Sequence, residues 1–195
     1  MYKELYPKII DALVKDGYII IKDALHVELS LKLKEFAQEE KDFKRAGISN
    51  TALHVDNDKR RDKIHWLNED DSSQSEFLAF TSELQNHLNR ELYLGINYYE
   101  SHFAIYEDGD FYEKHLDAFK NSKNRVVTTV YYLNENWTDE DAGELIVYDE
   151  DNKQLATVMP EANTLVVFLS EKFPHEVLAA KRKRFSIAGW FRMDK

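Results

Sequence analysis

The 195 residues include no cysteine, so neither a disulfide framework nor a thiolate metal site can be built from them. Only three prolines and six glycines are present and none gathers into a linker, so the chain reads as a single domain over residues 1–195. Long apolar runs are missing too. Nothing approaches the ~18 residues of a membrane span, and Met1-Tyr2-Lys3-Glu4-Leu5-Tyr6-Pro7 lacks the apolar stretch of a secretory signal. A soluble cytoplasmic protein with no membrane contact is expected. Basic residues are outnumbered 26 to 36, giving a formal net charge of −10. That balance excludes a non-specific nucleic-acid binder, which needs a basic face to displace counterions, and favours a basic protein or peptide partner.

What is present is enough for one sizeable core: 43% hydrophobic and 13% aromatic residues. The first half has helical periodicity. Ile9, Ile10, Leu13 and Val14 share a face of a helix expected over 7–15 and stopped by Gly17; Leu29, Leu33 and Phe36 do so for 27–40. Phe77, Phe80, Leu84 and Leu88 mark a third helix over 75–92, capped by Ser72 or Ser73 and ended by Gly95. Tyr18–Ile21 reads as a buried strand, the end of 60–67 as another, and 43–58 as a polar stretch without an element. From residue 95 onward the rhythm has period two, with strands expected over 96–106, 111–115, 125–133, 144–148, 154–159, 164–169 and 183–192. The expected fold class is α+β, mainly β: a double-stranded β-helix, or jelly roll, at 96–195 on a helical support with added strands at 1–95.

One short stretch has the spacing of a metal site. In an extended backbone side chains at i and i+2 leave the same face, so His115 and Asp117 can converge on one point. Taken alone, such a pair is more often a solvated turn. A third ligand is offered by His175, in Phe173-Pro174-His175-Glu176-Val177 after the apolar run 164–169. Two histidines and one carboxylate on one face of an octahedron, with three positions open, is the donor set of non-haem Fe(II) oxygenases. Arg184 follows His175 by 184 − 175 = 9 residues, far enough to return through a hairpin beside the metal. A co-substrate such as 2-oxoglutarate chelates iron through its keto acid end and buries its distal carboxylate, which must be paired; a guanidinium does this with a two-pronged fork. A solvated charge run or a targeting signal is the bland reading of Lys181-Arg182-Lys183-Arg184. Against it, the run flows into a strand whose alternation puts Arg184, Ser186, Ala188 and Trp190 on one face, with small residues between the two ends. His26, His54, His65, His87 and His102 lack a comparable carboxylate and read as surface or packing residues. His102, on the strand leading into Tyr106, is the one set apart.

His115-Leu116-Asp117, His175 and Arg184 together resemble the motif of Fe(II)- and 2-oxoglutarate-dependent dioxygenases. The chain from about Arg60 to Arg192 is similar to the prolyl 4-hydroxylase branch, above all to hypoxia-inducible-factor prolyl hydroxylases and to bacterial enzymes acting on elongation factor Tu. Arg60-Arg61-Asp62-Lys63-Ile64-His65-Trp66, Tyr131-Tyr132-Leu133-Asn134, Gly143-Glu144-Leu145 and Pro174-His175-Glu176-Val177 are its landmarks, and Glu144 departs from it by replacing a second glycine. The resemblance implies Fe(II) on His115, Asp117 and His175, and 2-oxoglutarate on Arg184 with the Tyr132 hydroxyl beside it. It also puts Tyr106 near the co-substrate or an iron-bound water, and lines the same pocket with Thr128, Val130 and Ile146. Arg125 and Trp190 would stand at a peptide entrance, Arg60 and Asp62 would anchor a loop near the substrate, and 43–58 would be a lid. O2 is the implied oxidant and ascorbate an auxiliary reductant. The implied activity is hydroxylation of a prolyl residue of a protein, with release of succinate and CO2. Two alternatives share the motif: the same chemistry on a small molecule or another side chain, because substrate choice lies in loops, and a non-catalytic jelly-roll binding module.

Overall fold

The period-two pattern of the second half becomes two antiparallel sheets in the computed structural model, which describes residues 2–46, 59–118 and 124–193. The N-terminal half supplies α1 (Leu5–Lys15), β1 (Tyr18–Ile21), α2 (Val27–Glu39), β2 (Lys44–Arg45), β3 (Lys63–Trp66) and α3 (Ser72–Leu92). The remainder is β4 (Tyr98–Tyr106), β5 (Tyr112–His115), β6 (Arg125–Tyr132), β7 (Leu145–Tyr148), β8 (Gln154–Val158), β9 (Leu165–Leu169), β10 (His175–Val177) and β11 (Arg184–Arg192). Among the described residues the larger sheet has the order β1-β9-β6-β11-β4-β3-β2 and the smaller β5-β10-β7-β8. This is the expected jelly roll, mostly β with three helices among the described residues.

Alternation divides the large sheet into two faces. Val127 and Tyr131 of β6, Ile105 of β4 and Phe185, Ile187 and Phe191 of β11 pack against Ile9, Leu33, Phe77 and Leu84 of the helices in one buried cluster. Their neighbours Val130, Tyr132, Ala104, Tyr106, Val166 and Phe168 turn the other way and meet Leu145, Val147 and Val177 between the sheets. The tight spot on the helix side is Gly189, where a Cβ would stand 2.2 Å from Tyr99 Oη. There Tyr99 and Thr129 hydrogen-bond to each other at 3.0 Å across the glycine.

Several local expectations change. The cap of α3 is Asp71, whose carboxylate accepts from the amides of Ser73 and Gln74, so the helix begins at Ser72. It ends at Tyr93, left-handed at φ 54°, two residues before Gly95. Val14 is 70% exposed rather than on the buried stripe of α1. β1 lies at the edge of the large sheet, paired on one side to β9, and three of its four residues are half-buried. Of the expected lid, 43–46 includes the two residues of β2, and 47–58 lie outside the described residues. No helix among the described residues is long and apolar enough to cross a membrane.

Candidate active site

His175 and His115 are cross-strand partners on β10 and β5, which is what brings two residues sixty positions apart in the chain side by side. Their rings are 4.4 Å apart. Asp117 follows just past the end of β5 and turns its carboxylate in between: Oδ1 is 3.6 Å from His115 Nε2, and Oδ2 is 3.5 Å from His175 Nε2. The three ligand atoms lie within 4.8 Å of one another. Each imidazole is held by its other nitrogen. His115 Nδ1 is 2.7 Å from the Glu113 carbonyl and His175 Nδ1 is 3.0 Å from the Phe173 carbonyl. A carbonyl only accepts, so both Nδ1 atoms carry the proton and both Nε2 lone pairs face the carboxylate. Burial, reinforced by the neighbouring His115, lowers the His175 pKa to about 4 against the opposing pull of Asp117, so this ligand is neutral at neutral pH. Burial opposes ionisation of Asp117, but His175, His115 and Arg125 together hold its carboxyl well below the usual carboxylate range.

Behind Asp117 stands a pair of hydroxyls. Thr128 Oγ1 donates to Asp117 Oδ2 at 2.8 Å and is 2.9 Å from Ser170 Oγ. Since the single Thr128 proton goes to the carboxylate, Ser170 is the donor to Thr128. Thr128, expected to line the keto-acid pocket, shares the strand face of Val130 and Tyr132 and in addition donates to Asp117. Tyr112 stacks on the His115 ring at 3.7 Å and 16°. Residues three apart in a strand normally face opposite ways; a register shift between the pairs His175–His115 and Val177–Tyr112 inserts one extra residue and turns Tyr112 to the His115 face. Arg60 Cζ lies 4.3 Å from the Tyr112 ring, and the same guanidinium is clamped on buried Asp62 through Nε (2.7 Å) and Nη2 (2.6 Å). The loop pair thus bears on a metal-ligand candidate through one aromatic ring.

At the other end of the inner face Arg184 is 1% exposed. Its Nε donates to the Gly143 carbonyl at 3.0 Å, and Nη1 reaches Ser186 Oγ at 3.4 Å. Gly143 has φ +77° and a Cβ there would be 2.7 Å from Ala180 Cβ, so this carbonyl can be presented only by glycine. Arg184 Nη2 and Tyr132 Oη are both buried with no hydrogen-bond partner among the described residues. The rings of Tyr106 and Tyr132 each lie 5.0 Å from the guanidinium carbon. Burial pushes the Tyr132 hydroxyl up to about 12 despite the nearby Arg184 charge and raises Tyr106 well above its ordinary value. A buried guanidinium with no anion on it is costly, and a carboxylate delivered by a ligand removes the cost.

Ile146 is placed differently from expectation. Its strand neighbours Leu145 and Val147 enter the cluster between the sheets, so Ile146 faces away on the opposite side of β7, in register with Glu176. Leu145 takes the inward place, alongside Val130. Arg125 donates to Glu100 at 3.1 Å and covers the Trp190 ring at 3.7 Å; it is both ion pair and aromatic lid on one wall. Sequence reasoning missed Tyr112, Ser170 and Leu145. A period-two count signalled Leu145, whereas the bulge and the β9-to-β6 hydroxyl contact left no trace in spacing.

Comparison with known proteins agrees with this geometry. Residues 101–192, which hold the triad and Arg184, match the sequence profile of the 2OG-Fe(II) oxygenase superfamily. The structure is similar to that of a Pseudomonas putida prolyl-4-hydroxylase: TM-score 0.88 and 34% identity, covering 97% of this chain and 100% of the other. The chain belongs to the 2OG-Fe(II) oxygenase superfamily. A Trichoplax adhaerens prolyl hydroxylase in complex with a hypoxia-inducible-factor oxygen degradation domain peptide fragment is also similar to this oxygenase, with TM-score 0.86 and 26% identity over 98% of this chain and 90% of that one. Egl nine homolog 1 of Homo sapiens is 31% identical over 142 residues, 69% of this chain. The oxygenase spans only 33% of that curated relative's length. The superfamily uses Fe(II), 2-oxoglutarate and O2. The residues present fit them: two imidazoles and a carboxylate at one end, and a buried guanidinium nitrogen and phenol without partners at the other.

Proposed function

We propose that this oxygenase is a cytoplasmic Fe(II)- and 2-oxoglutarate-dependent dioxygenase that hydroxylates a prolyl residue of a protein. The observation that carries the reading is the buried Arg184–Tyr132 pair with Nη2 and Oη both unpartnered, on the large sheet, with the His115, Asp117 and His175 cluster at the small sheet. The whole-length similarity to a prolyl-4-hydroxylase and to a prolyl hydroxylase holding a peptide supports the choice of substrate.

Iron and 2-oxoglutarate, when bound, supply the oxidative decarboxylation that yields succinate, CO2 and a hydroxylated product. The chain's residues do the rest. His115 and His175 present bare Nε2 atoms because the Glu113 and Phe173 carbonyls fix their tautomers. Thr128 ties Asp117 Oδ2 with its proton and so fixes the carboxylate that would hold the iron together with the two histidines. Arg184 Nη2 and Tyr132 Oη would receive the distal carboxylate, fixing how deeply the keto acid sits. Val130, Leu145, Val166 and Phe168 wall the space between the sheets, and Phe168 packs edge-on against His175 at 4.9 Å, which keeps bulk water from that face.

The test supplies purified protein with Fe(II), 2-oxoglutarate and a panel of proline-containing peptides, and follows succinate together with the gain of one oxygen atom in the peptide. Coupled formation of both supports the reading. Succinate formation coupled to oxidation of peptides only at residues other than proline would contradict it.

A further inference from the structure

The inner face of β4 and β11 carries another polar pair, apart from the metal cluster. His102 shares its parity with Ala104 and Tyr106, which line the space between the sheets, and lies in register with the small Ala188. Its ring meets Trp66 edge-on at 5.2 Å and Trp190 at 5.4 Å. Trp66 is 50% exposed, whereas His102 and Trp190 are buried at 3% and 8%. His102 Nδ1 lies 3.2 Å from the Phe103 carbonyl and must carry the proton. Burial and the Arg60 charge, with Arg125 adding to them, hold the imidazole neutral with its pKa lowered to about 4. Nε2 is therefore a bare acceptor, and no hydrogen bond to it exists among the described residues.

Trp190 Nε1 is its complement, a buried donor without a partner. The groups whose charge acts on His102 are Arg60, Asp62 and Arg125; Asp62 is spent on Arg60, and Arg125 covers the Trp190 ring at 3.7 Å. The Glu100 carboxylate on the same strand is taken up by Arg125 and Arg192, so His102 supplies an uncommitted acceptor. An extended peptide presents both carbonyls and amide N–H groups along one edge, and the His102 and Trp190 rings are neighbours, 5.4 Å apart between centroids.

We propose that His102 Nε2 and Trp190 Nε1 form a receptor for the substrate's peptide backbone beside the target proline, Nε2 accepting an amide N–H and Nε1 donating to a carbonyl. Proline has no N–H of its own, so the hydrogen comes from a neighbouring residue, and the site selects an extended chain with a secondary amide near the proline. This rests on the prolyl reading above.

An ester scan tests it. Acetylated pentapeptides X-X-Pro-X-X, randomised at X, are screened with the Fe(II)-loaded protein and 2-oxoglutarate for gain of one oxygen. The best substrate is then remade with each backbone N–H in turn replaced by an ester oxygen. In the wild type one ester flanking the proline raises KM about tenfold, the worth of one neutral hydrogen bond, with kcat little changed. His102→Leu raises KM on the amide peptide by the same factor and no longer distinguishes that ester, while His102→Gln, which keeps an acceptor, still does. Trp190→Phe weakens binding but retains the ester discrimination. The receptor is overturned if no ester is penalised in the wild type, an outcome that needs no variant to fold, or if His102→Leu leaves the ester penalty intact. If peptides are oxidised only away from proline, or none is oxidised while another class of compound is, the prolyl reading fails and the receptor with it.

Discussion

Tyr131 and Tyr132 are neighbours on β6, both fully buried, and their hydroxyls have opposite fates. Tyr131 faces the helices beside Phe77 and donates to Asn163 Oδ1 at 2.8 Å. Tyr132 faces the space between the sheets, with the Arg184 guanidinium beside it and no partner for its oxygen. One residue step thus separates a satisfied hydroxyl from an unsatisfied one, and the lack of a partner recurs between the sheets at Arg184 Nη2 and Trp190 Nε1. Buried polar atoms without partners are rare in folded proteins. Tyr132 Oη, Arg184 Nη2 and Trp190 Nε1 all face the space between the sheets, where a ligand completes them.

Removing a metal ligand breaks the inner face most severely: Asp117→Ala abolishes succinate formation, and full turnover by this variant would refute its role. Next in size is the hydroxyl pair behind it. Thr128→Val leaves the Asp117 carboxylate without its donor and lowers affinity for Co(II), read from its visible absorption, by roughly 10–100-fold; Thr128→Ser retains most of it. The tyrosine pair then sharpens the contrast directly. Tyr132→Phe raises the 2-oxoglutarate concentration needed for half-maximal activity about tenfold without loss of stability, whereas Tyr131→Phe lowers stability by about 1 kcal/mol and leaves that concentration unchanged. Urea unfolding and initial rates measure the two.

The smallest effect concerns pH. His102 and His175 both have folded pKa values lowered to about 4, below the ordinary 6.5. Between those limits the unfolded chain binds more protons than the folded one, so stability of the metal-free protein is full above pH 6.5 and declines as pH falls through that window to about 4. Urea midpoints across the window check this, and a flat profile would contradict it.

Much of the site was legible because it obeys a simple count. The i, i+2 step of His115 and Asp117 and the even positions of β11 from Arg184 to Trp190 depend only on strand alternation. What escaped depends on contacts between distant strands. β10 has three residues, too few for a period, yet its pairing puts His175 opposite His115. Thr128 was read by resemblance as pocket lining, and that its proton goes to Asp117 left no trace in the spacing. Ile146 failed by one residue, which in a strand reverses the face. His102 looked like packing because its free nitrogen shows only once the Phe103 carbonyl fixes the other.

The central claim is that the metal cluster and the Arg184–Tyr132 pair are two ends of one keto-diacid site. Anaerobic binding of 2-oxoglutarate and of pyruvate, which lacks the distal carboxylate, to the Fe(II)-loaded wild type and Arg184→Ala tests it most directly. The account predicts that the wild type prefers 2-oxoglutarate by roughly two to four decades, corresponding to about 3–5 kcal/mol for a buried ion pair, and that the preference collapses in Arg184→Ala. An equal preference in both proteins would contradict it.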